Sequence, residues 1–373
     1  MQKVGVIAEY NPFHNGHLYH LNKVKQMFPN GSFILILIGN FTQRGEISII
    51  DKWDKTKIAL DYGYDLVVEL PFLFASQAAN FYAKGAIDIL NYLNCDYLVF
   101  GSETNDVKLF KNLVDLTFNN KQYESIVKDY INKGLSYPHA SSLALKEISN
   151  VVIDKPNDVL ALEYVRQIKL TNSKIIPISI KRTNDYHEKN INSKITSATS
   201  IRKNIDNKDL IKNTMPSNVT KYIKKINYEK YFVMLKYEII TSSCLNEYIG
   251  VDEGIENKLK KVINEVSNID DLILKVKSKR YSYNRIQRML LHIICKNKKN
   301  NNELKINYIR VLGLSNNGKK ILKEAKGIDV PIITKFKKEY ENLFIEDIKA
   351  SKIYSLITDY DYKNEFLSSK KAS

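Results

Sequence analysis

The chain has 373 residues, of which 44% are hydrophobic, enough for a substantial core and for two domains of ordinary size. The formal net charge at pH 7 is +16, and most of the excess follows residue 205, as in proteins that bind a polyanion. Lysines scattered over the surface would give the same total, so charge alone does not establish such a partner. The longest apolar run, residues 33–38, is too short to cross a membrane, which argues against a membrane protein.

The three cysteines indicate a reducing compartment. Cys95, Cys244 and Cys295 lie far apart and match no spacing of a metal-binding motif, so they are interpreted as structural thiols. The first residues lead directly into an apolar segment and show no signal-peptide pattern. We therefore expect a cytoplasmic protein without a metal site of its own.

The first patterned segment predicts a strand, a tight loop and a helix. Residues 4–7 are apolar and predict a buried strand, which the sequence Asn11-Pro12 interrupts. Apolar residues then recur with helical spacing from Leu18 to Met27. Free backbone N–H groups at the start of such a helix favour binding of an anion.

The loop carries an H-x-G-H pattern at His14, Gly16 and His17. Gly16 has no side chain that would hold a phosphate away from the backbone. The two imidazoles can donate hydrogen bonds to phosphate oxygens as charge develops in a transition state. This favours transfer of a nucleotidyl group, which requires positioning and charge stabilisation. Zinc binding by these histidines and His20 is the weaker interpretation, because no cysteine lies nearby.

Strand and helix patterns alternate through the first part of the chain. Further strands are predicted at residues 33–38, 65–69, 97–100 and 175–180. This alternation predicts an α/β fold, a Rossmann-like doubly wound parallel sheet, with its ligand crevice beyond the carboxyl ends of the strands. Pro177 indicates that the last of these strands lies at an edge.

The alternation ends after about residue 205, and helical patterns dominate the remainder. We predict a catalytic domain at residues 1–205 and a mainly helical, basic domain at residues 206–373. Residues 105–150 have a mostly helical pattern and are interpreted as an insertion within the first domain.

The stretch 277–295 contains the densest mixture of arginine and tyrosine in the C-terminal part. Arg280, Arg285 and Arg288 are candidates for nucleic-acid binding, because arginine next to aromatic residues suits phosphate contact and base stacking. A solvated basic face on an amphipathic helix explains the pattern equally well.

Other polar residues follow predicted strands or begin helices. Gly101 could let a ligand approach the backbone, although turn geometry alone would also explain it. Asn157 is a plausible N-cap of a helix. Lys181 and Arg182 could neutralise phosphates at the end of the last strand, and Arg202 could hold phosphates or form a surface salt bridge.

A second motif supports the nucleotidyl-transfer interpretation. The run Ser197-Ala198-Thr199-Ser200-Ile201-Arg202, combined with the H-x-G-H loop, resembles the two signatures of the nucleotidyltransferase superfamily that includes class I aminoacyl-tRNA synthetases. Ala198 stands where that superfamily has a second serine.

Several longer runs resemble one family more closely, the tRNA(Met) cytidine acetate ligases. They are Glu9–His17, Gly39–Gly45, Val68–Pro71, Phe100–Glu103, Lys155–Asn157 and Tyr308–Gly313. The likeness extends from Val4 to about Tyr354. Members of that family activate acetate with ATP and acetylate N4 of the wobble cytidine of elongator tRNA(Met).

The resemblance implies the substrates ATP, accompanied by Mg²⁺, acetate and elongator tRNA(Met). It implies catalytic roles for His14, His17 and Arg202. The implied ATP-binding residues are Ile7, Ala8, Glu9, Tyr10, Asn11, Pro12, Phe13, His14, Asn15, Gly16, His17, Leu18, Tyr19, His20, Gly101, Asn157, Lys181, Arg182, Ser197 and Thr199.

Two other functions are compatible with parts of the pattern. The H-x-G-H chemistry suits any adenylyl transfer, so a small-molecule adenylyltransferase is one alternative, which the long basic C-terminal part disfavours. A non-catalytic RNA-binding protein with a vestigial nucleotide fold is the other, which the largely intact pair of signatures disfavours.

Overall fold

The structure, a computed structural model, describes residues 1–182, 195–299, 304–325 and 327–372. Within these ranges one mixed sheet of eight strands forms the centre of the molecule. The strands are β1 (Lys3–Ala8), β2 (Ser32–Ile38), β3 (Leu66–Leu70), β4 (Tyr97–Ser102), β5 (Ile176–Lys181), β6 (Ile309–Leu314), β7 (Ile332–Ile333) and β8 (Lys370–Lys371).

The order β5-β4-β1-β2-β3-β6-β7 confirms the predicted α/β class, and β8 pairs with β6 beside β7. Strands β1 to β5 are parallel to one another, and β5 lies at the edge, as Pro177 indicated. Strand β6 runs antiparallel to β3. Strands β6 to β8 come from the C-terminal part and were not predicted.

Helices cover both faces of the sheet. They are α1 (Asn15–Met27), α2 (Lys52–Asp61), α3 (Phe72–Ala75), α4 (Ala79–Tyr92), α5 (Val107–Thr117), α6 (Lys121–Asn132), α7 (Tyr137–Ser149), α8 (Pro156–Leu170), α9 (Ala198–Lys203), α10 (Lys208–Ile211), α11 (Tyr228–Thr241), α12 (Ile255–Val262), α13 (Ile269–Val276), α14 (Tyr283–Ile294), α15 (Asn316–Glu324) and α16 (Ile345–Ile357). Short 3-10 helices occur at Thr220–Tyr222, Leu245–Glu247, Ile263–Glu265, Lys338–Phe344 and Tyr362–Phe366.

Strand β2 is buried on both faces, which explains its continuous apolar sequence. Its alternate residues Leu35 and Leu37 pack into a core shared with α1, α2 and the helices after residue 205. Ile34 and Ile36 pack into a second core with α4, α8 and the helices of residues 105–150. The first core is continuous across residue 205, so the C-terminal helices pack directly on the sheet.

Ion pairs among four buried side chains join the C-terminal part to the first part of the chain. Lys52 Nζ lies 2.7 Å from Glu69 Oε1 and 2.6 Å from Glu365 Oε2. Arg310 Nη1 lies 2.7 Å from the same Glu365 oxygen and 3.3 Å from Glu69 Oε2. Burial opposes ionisation of Glu365, but Lys52 and Arg310 outweigh it and lower its pKa to about 2. Removal of any one of the four residues therefore leaves an unmatched buried charge.

None of the helices in the described ranges has the length and apolar character needed to cross a membrane.

Loss of one charge from this cluster should destabilise the fold strongly. We expect Glu365→Gln to lower the free energy of unfolding by about 3–5 kcal/mol, because it leaves two buried cations with one carboxylate fewer. Urea denaturation followed by circular dichroism measures the change. Glu341→Gln, at an exposed carboxylate of the same C-terminal part, is the control and should have little effect. A loss of stability for Glu365→Gln no larger than for this control would contradict the prediction.

Candidate active site

The H-x-G-H loop lies at the carboxyl edge of the parallel strands, as predicted. Strand β1 ends at Ala8, and α1 begins at Asn15 with His14 as its N-cap. The peptide between Asn11 and Pro12 is cis. The loop therefore ends at the N terminus of a helix, where unpaired backbone N–H groups favour an anion.

His14 and His17 form a reciprocal cap on this helix. The N–H of Gly16 donates to His14 Nδ1 at 3.0 Å, and the N–H of His14 donates to His17 Nδ1 at 3.3 Å. The two rings stack with their centroids 3.8 Å apart. Because both Nδ1 atoms are acceptors, each neutral ring carries its proton on Nε2. Each ring therefore presents one Nε2–H donor.

The environment keeps these rings neutral. Burial, together with the charges of Arg182 and Arg202, lowers the pKa of His14 to about 3. Burial and then His14 and Arg182 lower the pKa of His17 far below its usual value. Burial and Arg182 lower the pKa of His20 to about 4. The histidines can thus donate hydrogen bonds at neutral pH but do not carry a proton to transfer.

Arg182 and Gly101 lie together next to the histidines. The side chain of Arg182 passes Gly101 so closely that a β-carbon placed there would lie 3.4 Å from Arg182 Cγ. Lys181, the last residue of β5, is exposed. The structure places Arg182 close enough to the histidines for its charge to lower the pKa of both His14 and His17.

Asn157 is positioned by a carboxylate that the sequence analysis left without a role. Its Nδ2 donates to Glu103 Oε1 at 2.5 Å. The N-cap of α8 is Lys155, so the prediction that Asn157 caps this helix is wrong. Pro156 occupies the first helical position, so the cap lies two residues before the asparagine. Arg182 Nε lies 3.8 Å from the same Glu103 oxygen.

Asp158 stabilises the contact between Asn157 and Glu103 through hydrogen bonds, and the sequence analysis did not identify it. Its carboxylate accepts from Ser102 Oγ at 2.5 Å, from the N–H of Glu103 at 2.9 Å and from Thr104 Oγ1 at 2.6 Å. Glu103 in turn accepts from the N–H of Asp158 at 3.1 Å. The loop after β4 and the first turn of α8 therefore fix each other. The sequence feature that could have identified this residue is an aspartate directly after the Pro156-Asn157 pair.

The second motif meets the first through Arg202. Ser197 caps α9, its Oγ accepting from the N–H of Ser200 at 3.1 Å. Arg202 donates to the carbonyl oxygen of Asn11 at 2.8 Å and to Thr199 Oγ1 at 3.4 Å. It also forms an ion pair with Glu46 Oε2 at 2.6 Å. The arginine therefore supports the backbone of the H-x-G-H loop.

The remaining predicted residues of the loop have varied surroundings. The Glu9 carboxylate accepts from the N–H of Gln43 at 2.8 Å, and the Tyr10 hydroxyl is 2.8 Å from that of Tyr64. Asn15 Nδ2 donates to the carbonyl oxygen of Asn213 at 2.7 Å. Buried residues of the loop are Tyr10, Asn11, Pro12, Phe13 and His14, and partly buried ones are Ile7, Ala8, Glu9, Asn15, Gly16, His17, Leu18, Tyr19 and His20.

Four buried polar atoms around this loop have no hydrogen-bond partner in the described part of the chain. They are Asn11 Nδ2, His20 Nε2, Arg182 Nε and Thr196 Oγ1. An unsatisfied buried donor costs about 1–3 kcal/mol, so such a concentration in one place is typical of a site that binds a polar ligand. Within the same ranges, no three His, Cys, Asp or Glu side chains are placed to hold a metal ion.

The three candidate nucleic-acid arginines have different surroundings. Arg280 Nη1 lies 3.0 Å from Glu253 Oε1, and Arg285 Nη2 lies 3.6 Å from Asp252 Oδ2. Arg288 is partly buried on α14. The structure brings Arg280 and Arg285 to acidic partners within the chain.

The order of the strands and the position of both motifs define a nucleotidyltransferase of the H-x-G-H type. A family model described as HIGH Nucleotidyl Transferase matches residues 1–369.

Individual relatives narrow the class to one family. A tRNA(Met) cytidine acetate ligase of Mycoplasmopsis pulmonis is 46% identical, covering 78% of this chain and 98% of its own. One of Caldicellulosiruptor saccharolyticus is 40% identical, covering 95% of this chain and 94% of its own. The crystal structure of Thermotoga maritima TmcAL with α-thio ATP is similar to this chain with a TM-score of 0.88 and 27% identity, covering 100% of this chain and 99% of its own. The chain belongs to the tRNA(Met) cytidine acetate ligases, a family of enzymes.

The histidine geometry predicts a specific NMR signature. His14 and His17 should show the ¹⁵N shifts of neutral rings protonated at Nε2, and neither should titrate between about pH 8 and 5, because their pKa values are held well below this range. Histidine-selective ¹⁵N–¹H spectra of the free protein measure this, with the exposed His139 as reference. Titration of either ring in this interval would show that the reciprocal cap does not persist in solution.

The Asp158 arrangement predicts an effect on nucleotide binding. We expect Asp158→Asn to destabilise the loop after β4 by about 1.5–3 kcal/mol, because charge-assisted hydrogen bonds are lost. The KM for the nucleotide should rise more than kcat falls, since the contacts of this residue position the loop after β4. Asp154→Asn, at an exposed carboxylate preceding the same helix, is the matched control. Equal kinetics for the two variants would exclude a positioning role.

Proposed function

We propose that the protein is an ATP-dependent acetate ligase that forms acetyl-adenylate and then acetylates N4 of the wobble cytidine of elongator tRNA(Met). The observation that carries this proposal is the pair of neutral Nε2–H donors at the N terminus of α1. They suit an anion whose charge grows during the reaction. The names of the relatives support the choice of acetate and of this tRNA.

The ATP site proposed here consists of residues 7–20 with Gly101, Asn157, Lys181, Arg182, Ser197 and Thr199. The unpaired atoms of Asn11, His20 and Arg182 fit a ligand rich in oxygen acceptors. Gly101 leaves room for close approach, and Arg182 supplies positive charge next to it. The α-thio ATP in the Thermotoga maritima crystal structure supports this choice of nucleotide.

In the first step, an acetate oxygen attacks the α-phosphorus of ATP. The new bond joins that oxygen to phosphorus, and the bond to the bridging oxygen of the β-phosphate breaks, releasing pyrophosphate. His14 and His17 stabilise the added charge on the α-phosphate through their Nε2–H groups, and Arg182 and Arg202 assist. Because both rings are neutral, they act by hydrogen bonding, without proton transfer.

In the second step, N4 of the cytidine attacks the acetyl carbonyl carbon of the adenylate. The bond between this carbon and the AMP oxygen breaks, AMP leaves, and the nitrogen loses one proton. The base must be turned out of its stack to reach the adenylate, which an anticodon loop permits.

Mg²⁺ would enter with ATP. In the described ranges no cluster of carboxylates and histidines is suited to a metal, so phosphate oxygens and water would supply most of its ligands. Its contribution would be to neutralise phosphate charge during release of pyrophosphate.

The same proposal assigns a separate function to each of the two parts of the chain. Residues 1–205 would carry out adenylate formation, and residues 206–373 would bind tRNA, including through Arg280, Arg285 and Arg288. The positive charge in excess after residue 205 supports this division. A cytoplasmic location is also proposed, since Cys95, Cys244 and Cys295 are free thiols.

Pyrophosphate exchange into ATP, measured across a series of small carboxylic acids, tests the first step. We expect exchange with acetate and transfer of the acetyl group to tRNA. A small-molecule adenylyltransferase would instead exchange without transferring any group to tRNA. Absence of exchange with every acid would contradict the proposed chemistry.

Removal of either histidine should slow adenylate formation. We expect His14→Ala and His17→Ala each to reduce the rate of acetate-dependent exchange about 10²–10³-fold, because one preorganised donor is lost. His139→Ala, at an exposed histidine of the helical insertion, is the control. Circular dichroism checks that each variant is folded, since His14 also caps α1. Near-normal exchange by a folded double variant would rule out the catalytic role.

A further inference from the structure

Arg280 and Arg285, two of the three candidate arginines, form contacts with other residues of the same chain. Arg280 donates through Nη2 to the carbonyl oxygen of Ile131 at 2.7 Å, besides its ion pair with Glu253. It therefore joins the helical insertion to the C-terminal helices. Arg285 lies over the ring of Tyr281 at 4.0 Å in addition to its contact with Asp252. These contacts reduce the capacity of both residues to bind an external phosphate.

Arg288 lies where α14 meets a loop of the catalytic part. The loop of residues 41–46 follows β2, and its Gly45 has a φ of +81°. A β-carbon at Gly45 would lie 2.8 Å from the backbone N of Arg288 and 2.9 Å from its Cα. We call this contact between residues 41–46 and α14 the seam. Only glycine permits so close an approach with this backbone conformation.

The seam concentrates positive charge. Burial, followed by the charges of Arg285 and Arg44, lowers the pKa of Arg288 to about 10. Within the described residues the guanidinium of Arg288 has neither a hydrogen-bond acceptor nor a carboxylate within ion-pair distance. A partly desolvated cation next to like charges is unfavourable by itself, and a bound phosphate would relieve it.

The seam is also connected to the active site. Glu46, at the end of the loop, forms the ion pair with Arg202, which in turn donates to the carbonyl oxygen of Asn11. Tyr228, the first residue of α11, is 57% exposed, and the charges of Arg202 and Glu46 act on its hydroxyl. An exposed aromatic ring therefore lies in the region of the ion pair that connects the loop of residues 41–46 to the second motif.

We propose that the seam is the site of the acceptor nucleotide, where Arg288 binds the phosphate next to the target cytidine and Tyr228 stacks on its base. This assignment rests on the proposed function, because it takes the acceptor to be RNA. Arginine pairs with phosphate in a forked geometry, and an unpaired base gains most from an exposed aromatic ring. The loop of the seam is connected through Glu46 to Arg202, and through Arg202 to the backbone of the loop that carries the histidines.

Binding of an elongator tRNA(Met) transcript over a range of salt concentrations tests the assignment. We expect Arg288→Ala to weaken binding about tenfold and to reduce the slope of log K against log[salt] by about 0.7–0.9. Tyr228→Ala should weaken binding at least about fivefold with the slope retained, because stacking is lost without a change in charge. Lys261→Ala, an exposed cation of the same part, and Tyr237→Ala, a 66% exposed tyrosine of the same helix, are the controls.

Three results would overturn the assignment. In the first, Arg288→Ala and Tyr228→Ala both bind tRNA as tightly as their controls. In the second, Arg288→Ala leaves the salt slope unchanged. In the third, Arg288→Ala raises the KM for ATP in pyrophosphate exchange while its affinity for tRNA stays the same. The last result would assign Arg288 to ATP phosphates. Arg288→Lys provides a second variant in case the alanine variant does not fold, and it should recover the salt slope but only part of the affinity.

The experiments distinguish an error in the proposed function from an error in the assignment of the acceptor site to the seam. Exchange measured with the unaltered protein tests acetate activation without tRNA. If exchange is absent while tRNA binding still depends on Arg288 and Tyr228, the proposed chemistry is wrong and the acceptor site stands. If exchange occurs and binding is insensitive to both residues, the chemistry stands and the acceptor site is wrong.

Discussion

Compensation of buried charge is the constraint on which the architecture depends. Lys52 and Glu69 belong to the first part of the chain, whereas Arg310 and Glu365 come from the last quarter. Contacts of Lys52 with Glu365 and of Arg310 with Glu69 join the two pairs into one cluster, in a low-dielectric interior where an unmatched ion is costly. The cluster therefore holds β6 antiparallel to β3 and places the C-terminal helices over the loops that follow β2 and β3. The seam between Gly45 and α14 is a consequence of this docking.

The site combines two kinds of positioning. Backbone N–H groups determine the tautomers of His14 and His17, so the chemistry of the rings follows from the geometry of a helix N terminus. Arg202 and Asp158 hold the loops of the site in place, Arg202 through a carbonyl group and Asp158 through N–H groups. A nucleotidyltransferase needs its donors in place before charge develops, and both arrangements provide this without a nucleophilic side chain.

Local patterns were sufficient for the features that depend on neighbours in sequence. The five parallel strands, the edge position of β5 and the helix that follows the first loop are predicted by apolar periodicity, by Pro177 and by the Asn11-Pro12 break. Strand β6 was missed because its apolar run differs from a helical one only through its partner β3, which is more than 200 residues away. Asp158 and Arg288 owe their surroundings to loops distant in sequence, which periodicity does not report.

The late position of Glu365 has a consequence for synthesis of the protein. A ribosome completes the five parallel strands long before it reaches the residues that pair with β3, so the nascent chain has an open sheet edge and a Lys52 that lacks one of its two carboxylate partners. The residues of both motifs are made early, yet the sheet beneath them is completed only when strands β6 to β8 have been made. A prematurely terminated chain would expose that edge and would be prone to aggregation, so incomplete products would not accumulate as active enzyme.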